Sequence, residues 1–334
     1  MNLRSRWLST AFCLVLLLGV GQAVADEPRD WLRRMNDALA ERNYDGSFFH
    51  MSGGKVESLR IIHRVAEGKV AERLVSLDGS GREFIRTGGE LACYLPDQRT
   101  VLVERRAREG SLLGKLPSFD YSNEGFYEVG GGHRARLMGR SVRVVVVTPR
   151  DEYRYGYRLW IDEKTAMPLK TQLCDSRGNV IEQILFASLT LPRAIPDSAF
   201  SPGVSAEGFR WIRRESRSSD PSDSSPLVWR AARLPPGFRL RSRGQQIIPG
   251  APGETSHVVY TDGVAAVSVF VGPRIDRGAV PPAQGAARMG SSATYSTMVE
   301  GHPVTVVGEV PERTVQFIAS QVRLQALAAE QGGR

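Results

Sequence analysis

Between Ser141 and Leu189 apolar and polar positions alternate in four consecutive runs. In the run Tyr153 to Ile161, one side collects Tyr153, Tyr155, Tyr157, Leu159 and Ile161, and the other collects Arg154, Gly156, Arg158 and Trp160. A period of two is the signature of a strand, whose successive side chains leave opposite faces. Val142 to Val147 precedes this run across the turn Thr148 to Asp151; Met167 to Cys174 and Val180 to Leu189 follow it, joined through Asp175 to Asn179. Four strands linked by short turns predict an antiparallel meander. Such sheets usually keep one face wet. Here both faces are apolar or aromatic, so a helix, a lipid or another chain is expected to cover what water would otherwise touch.

The same reading extends in both directions. Trp31, Leu32, Met35 and Leu39 recur at helical spacing behind Pro28, with Arg33, Arg34 and Asp37 opposite. Strand patterns follow at Ser47 to Met51, through Leu59, Ile61, His63 and Val65, through Arg73, Val75 and Leu77, at Glu83 to Thr87 and Leu91 to Leu95, and through Val101 and Val103. Ser111 to Phe119 reads as a helical or irregular crossover. Arg213 to Pro226 offers no side chain to bury and reads as a mobile linker. Beyond it, strands are expected at Val258 to Tyr260, Ala265 to Val271, Thr294 to Val299 and Val304 to Val307, with a long loop from Pro273 to Gly290. A helix begins after Pro311, with Val315, Ile318 and Val322 on one face. The fold class is α+β, mainly antiparallel β: one large sheet cradling helices, then a smaller α+β domain. The expected divisions are a leader at 1–25, a first domain at 26–211, a linker at 212–226, a second domain at 227–325 and a tail at 326–334.

Composition adds location. Arg4 and Arg6 precede an apolar run from Ala11 to Val20 that is too short to span a bilayer, and Ala23-Val24-Ala25 fits a cleavage site before Asp26. The chain reads as exported. Its formal charge of +8 falls to +6 once the two leader arginines are set aside. Lysine occurs only at positions 55, 69, 115, 164 and 170, so the cationic surface is arginine, which pairs with carboxylate and phosphate in a fork. No basic cluster or nucleic-acid motif is present, so nucleic acid is not an expected partner. Cys93 and Cys174 both fall on predicted strands and read as two buried thiols.

Catalytic constellations are missing. Gly130-Gly131-Gly132-His133 lacks the Lys-Ser/Thr of a phosphate loop and reads as a plain turn. The histidines at 50, 63, 133, 257 and 302 have no metal-ligand spacing. Asp151 with Glu152 and Asp162 with Glu163 sit at hairpin turns, where solvated acids are ordinary. A binding protein without metal or cofactor is expected, rather than an enzyme.

Several motifs together carry a resemblance. Gly139-Arg140-Ser141-Val142-Arg143-Val144-Val145, Pro149-Arg150-Asp151 with Tyr153-Arg154-Tyr155-Gly156, Leu159-Trp160-Ile161-Asp162 and Met167-Pro168-Leu169-Lys170 resemble the RseB/MucB family of sigma-E regulatory proteins. The second domain adds Leu234-Pro235-Pro236-Gly237-Phe238, Tyr260-Thr261-Asp262-Gly263, Phe270-Val271 and Val304 to Pro311. Arg233 departs from the tryptophan the family tends to place there. The resemblance implies a lipoprotein-carrier-like half-open sheet and a periplasmic negative regulator of the envelope stress response. Such a regulator binds the periplasmic region of a membrane anti-sigma factor, shields it from a site-one protease, and is released by lipid or lipopolysaccharide fragments. For lipid the candidates are Phe48, Leu59, Ile61, Leu74, Phe84, Tyr94, Tyr155 and Trp160. For the protein partner they are Trp211, Arg213, Arg214, Trp229 and Arg230, aromatic and arginine anchors beside the linker. The alternative is a lipid or lipoprotein carrier without a regulatory partner, and a homodimer stays open beside a monomer.

Overall fold

The computed structural model describes residues 27–105, 112–113, 125–215, 227–247, 253–275 and 283–326. The expected leader and the tail beyond residue 326 lie outside these, as do residues 216–226 of the expected linker and all of the expected crossover except Leu112 and Leu113.

Helix α1 (Pro28–Glu41) starts with proline in its first turn, where the missing N–H is not needed, and buries Trp31, Leu32, Met35 and Ala38. The strands β1 (Tyr44–Ser52), β2 (Lys55–Ala66), β3 (Lys69–Ser76), β4 (Glu83–Thr87), β5 (Glu90–Leu95) and β6 (Thr100–Arg105) form the first half of one sheet. The second half is β7 (Tyr127–Leu137), β8 (Arg140–Pro149), β9 (Gly156–Asp162), β10 (Pro168–Cys174), β11 (Val180–Thr190) and β12 (Arg210–Glu215). Two-residue turns such as Glu67-Gly68 and Met138-Gly139, with both φ positive, give the hairpins the twist their strands need. The twelve-stranded order is β12-β6-β5-β4-β3-β2-β1-β11-β10-β9-β8-β7. It is linear, so the sheet is open, and only the β12–β6 pair is parallel.

Both faces of this sheet are covered, as the alternation required. On one face Phe48 stands opposite Phe186 and Leu59, and Ile61 opposite Leu74, which stands opposite Phe84. This face packs with α1 and with Leu159, Ile161, Met167 and Leu169 into the largest core. On the other face Ile62, Ile85, Tyr94, Val101 and Val103 are sealed by Ile195, Phe200 and Val204 from the chain after β11. That covering segment is held by polar pins. Arg64 donates to the Ile195 carbonyl at 3.0 Å, Arg73 to the Ala199 carbonyl at 3.2 Å, and Gly203 N–H to Glu83 at 3.0 Å.

The second domain contains β13 (Leu227–Ala231), β14 (Arg239–Ile247), β15 (Glu254–Thr261), β16 (Ala266–Val271), β17 (Gly285–Met289), β18 (Ser292–Val299), β19 (His302–Gly308), α2 (Glu312–Gln321) and β20 (Val322–Ala326). Its six-stranded sheet runs β14-β15-β16-β19-β18-β17, and β13 pairs separately with β20. Val315 and Ile318 of α2 are fully buried against Val267, Val304 and Val306.

Several expectations are corrected. The pattern does not stop at Ile212: residues 210–215 form β12, in parallel register with β6. Gly130 to His133 is not a turn but the middle of β7. A bulge there puts Gly131 at φ 90°, and a Cβ would meet the Val144 carbonyl oxygen at 2.5 Å. β17 occupies part of the expected loop, and Val322 begins β20 rather than continuing α2. Asp162 is not solvated: it is 2% exposed and accepts from Thr165 Oγ1 at 2.6 Å. Cys93 is half-buried and Cys174 buried, the two are not joined in a disulfide, and β4, β3, β2, β1 and β11 stand between their strands.

The strand expected from Tyr153 starts at Gly156, and Arg154 lies in the preceding turn, with none of its side chain exposed. It joins the domains. Arg154 Nε donates to Asp262 Oδ2 at 2.7 Å, and Asp262 is equally buried. Arg154 also donates to Asp151 and to the Pro236 carbonyl, and lies over the rings of Phe126, Tyr127 and Phe238. Asp262 accepts from Tyr127 Oη at 2.8 Å and from the N–H groups of Val264 and Ala265 at 2.9 and 2.7 Å. Gly237 allows the approach, since a Cβ there would fall 2.4 Å from the Phe126 ring. Thr314 Oγ1 caps the contact by donating to the Tyr153 carbonyl at 2.8 Å.

Removing one partner of a buried ion pair strands the other charge, at about 3–5 kcal/mol. Asp262→Ala is expected to lose about that much and to split urea unfolding into two transitions, one per domain. An unchanged single transition would remove Arg154–Asp262 as the interdomain lock.

Candidate functional site

The large sheet is not packed solid. A cavity of ≈ 250 Å³ opens between Phe48, Leu59, Leu74, Phe84, Leu112, Leu113 and Ile184 on its apolar side, and His50, Glu57, Ser76 and Arg82 at its polar end. Strand geometry creates it. Phe48 and Leu59 face each other across β1 and β2, and Leu74 and Phe84 across β3 and β4. These four side chains share the face that carries the main core; α1 packs over β7 and β8, and among the described residues the Leu112–Leu113 turn borders this half.

That turn is anchored from beneath. Leu112 N–H donates to Glu72 Oε2 at 2.8 Å, and Glu72 is wholly buried. Arg86 Nη2 lies 2.8 Å from the same carboxylate and His63 Nε2 3.8 Å from its other oxygen. His63 stacks on Tyr44 with ring centres 4.5 Å apart, and its Nδ1 bonds the Arg42 carbonyl at 2.9 Å. Burial holds the His63 imidazole below its ordinary value, against the opposing pull of Glu72.

At the polar end His50 sits between two carboxylates. Its Nδ1 is 3.3 Å from Glu57 Oε2 and its Nε2 3.1 Å from Glu182 Oε1. Arg82 lies 3.7 Å from Glu57 and 3.4 Å from Asp78. Hydrogen bonds from Ser76, and from the side chain and backbone of Ser80, hold Asp78 well below the usual carboxylate range. This end can therefore bind a polar head group, and the remainder can bind only hydrocarbon.

Of the eight lipid candidates, Phe48, Leu59, Leu74 and Phe84 line the cavity. Ile61 and Tyr155 are sealed in the core, at 0% and 4% exposed. Tyr94 is on the opposite face, one residue out of phase with Cys93, which pairs with Phe84. Trp160 leaves β9 opposite Leu159 and Ile161 and lies under the Lys170 ammonium at 4.4 Å. The partner candidates fall into two groups. Trp211, Arg213 and Arg214 are on β12, with Trp211 46% exposed and edge-on to Tyr94. Trp229 and Arg230 are on β13, where Trp229 packs against His302 and Arg230 donates to Gln325. His50, Glu182 and Arg82 were not singled out from sequence. Register brings His50 to Glu182 and Glu57, and Glu57 in turn reaches Arg82.

Among the described residues no group of three or more His, Cys, Asp or Glu could hold a metal ion. An apolar cavity with one polar end, set beside a locked second domain, defines a two-domain binding protein. The comparisons give that class its family. The MucB/RseB N-terminal domain model matches residues 27–204 and the MucB/RseB C-terminal domain model residues 223–323, so the chain belongs to the MucB/RseB family. It is 30% identical over 325 residues to the sigma factor AlgU regulatory protein MucB of Pseudomonas aeruginosa, covering 94% of this chain and 98% of that protein. To the sigma-E factor regulatory protein RseB of Salmonella typhimurium it is 26% identical, covering 97% and 100%. The MucB/MucA complex of Pseudomonas aeruginosa matches the fold with a TM-score of 0.69 at 28% identity, covering 90% of this chain and 99% of that one. A structure of MucB with MucA(peri) gives 0.68 at 27%, covering 90% and 100%.

Two measurements follow. Leu74→Trp is expected to fill the cavity and to weaken binding of an apolar fluorescent probe at least tenfold, whereas Trp160→Ala is expected to change it less than twofold. Equal losses would place the probe elsewhere. Burial also holds His257 below its ordinary value. The unfolded chain takes up protons on His63 and His257 from about pH 6.5 downward while the folded chain resists, so stability is full above about pH 6.5 and declines as pH falls below it. Urea unfolding at a series of pH values is expected to show that decline, less steep in His257→Gln.

Proposed function

We propose that this chain is a periplasmic negative regulator of the sigma-E envelope stress response. It grips the periplasmic region of a membrane-bound anti-sigma factor, shields that region from a site-one protease, and lets go when a lipid or lipopolysaccharide fragment enters the cavity. The observation that carries the reading is the likeness, over both domains, to a MucB solved in complex with MucA(peri). The cavity supports the lipid half, since each methylene buried there contributes roughly 0.8 kcal/mol. Trp211, Arg213 and Arg214 on β12 and Trp229 and Arg230 on β13 are the proposed anchors for the protein partner.

For release, the lipid must favour a form that holds the partner poorly. A coupling of about 1–3 kcal/mol changes affinity five- to 150-fold, enough for a switch. Calorimetric titration of the chain with the anti-sigma periplasmic segment is expected to give a tight complex, weakened about tenfold by a saturating lysolipid. Binding of neither peptide nor lipid would end the reading. Binding of lipid alone would make the chain a carrier.

A further inference from the structure

The turn between β17 and β18 reaches out of the second domain and lands beside the cavity. Ser291, 2% exposed, donates through Oγ to Glu182 Oε2. Ser52 Oγ lies 3.5 Å from the same oxygen. Gly290, at φ 61°, fits so closely that a Cβ would come within 2.4 Å of Ser52 Oγ. The opposite oxygen, Glu182 Oε1, lies 3.1 Å from Nε2 of His50, and His50 is part of the cavity wall. Ile184, two residues along β11 on the same face, is part of that wall too. One buried carboxylate is thus shared, oxygen by oxygen, between the ligand cavity and the second domain.

We propose that His50, Glu182 and Ser291 form the relay by which filling the cavity is felt in the second domain. The inference rests on the reading that the cavity takes lipid and that the second domain helps to hold the partner. An acyl chain long enough to reach the polar end displaces the His50 ring. Glu182, almost without access to water, then follows its donor or loses it, because a buried carboxylate with too few donors is costly. Either way its hold on Ser291 changes. The Gly290 contact leaves the turn no room to slide, so it is docked or undocked rather than graded. Linkage makes the effect reciprocal: whatever factor lipid imposes on partner binding, the partner imposes on lipid.

The test compares peptide affinity with and without lauroyl lysophosphatidylethanolamine, a single-chain probe, in the full chain and in Ser291→Ala, His50→Asn and Arg288→Ala. Arg288 makes a separate interdomain contact, to Tyr155 Oη, and serves as the control for general loosening. The wild-type chain is expected to show a coupling of about tenfold, Ser291→Ala less than threefold with both ligands still bound, His50→Asn less than threefold at saturating lipid, and Arg288→Ala about tenfold. Full coupling in Ser291→Ala and His50→Asn, or an equal loss in Arg288→Ala, overturns the relay. A wild-type chain that binds no lipid, or shows no coupling, instead overturns the functional reading on which it rests.

Discussion

Arg154 is the residue on which the arrangement of the two domains depends. A guanidinium with no exposed side chain has given up its hydration, and such a charge persists only where fixed donors and acceptors replace water. The replacement here is drawn from both domains: Asp151 and the rings of Phe126 and Tyr127 from the first, Asp262, Phe238 and the Pro236 carbonyl from the second. Neither domain alone satisfies the cation. A buried ion pair is often no more stabilising than packed hydrocarbon, but it tolerates few alternative geometries. Its contribution is therefore orientation: with Arg154 seated, the β17–β18 turn is placed at Glu182 and cannot drift.

The sheet imposes the second constraint. Twelve strands in a linear order leave two broad faces, and the chain is apolar on both. The first domain solves this unequally. One face is closed by the segment around Ile195 and Phe200, pinned through Arg64, Arg73 and Glu83. The other is closed by α1 over β7 and β8, and among the described residues the Leu112–Leu113 turn borders the cavity beside β1 to β4. A helix fills its share of hydrocarbon surface densely; a two-leucine turn, anchored through the Leu112 amide on Glu72, leaves the cavity beside it.

Legibility from sequence divides along the same physical line. Local periodicity sufficed for α1, for the four-strand meander and for the burial of Val315 and Ile318, because each of these follows from spacing along one element. Part of the apolar lining was legible for the same reason: Phe48, Leu59, Leu74 and Phe84 are inward positions of their own strands, whereas Leu112, Leu113 and Ile184 were not named. What failed was whatever register decides. Tyr94 and Cys93 differ by one residue and so by a whole face. Arg154 continued an alternating pattern but sits in a turn, where the pattern has no meaning. The run Trp211-Ile212-Arg213 is too short to announce an edge strand, and its pairing with β6, about a hundred residues earlier, leaves no local trace. The polar end, with His50 on β1, Glu57 on β2 and Glu182 on β11, is assembled only by strand order.

These magnitudes constrain how a ligand in the cavity could act on a partner. A chain of about nine methylenes, which is what ≈ 250 Å³ holds, contributes roughly 7 kcal/mol at about 0.8 kcal/mol each. The Arg154–Asp262 contact resists disruption by about 3–5 kcal/mol and is supported by Thr314 on Tyr153 and by Phe317 against the Tyr153 ring. A ligand filling ≈ 250 Å³ therefore lacks the free energy both to bind tightly and to separate the domains at Arg154. It has ample to release Ser291 from Glu182, a single hydrogen bond to a carboxylate worth about 1.5–3 kcal/mol. Under the proposed function, signalling is then a tilt about a fixed pivot: the domains stay joined at Arg154 while their contact beside the cavity opens.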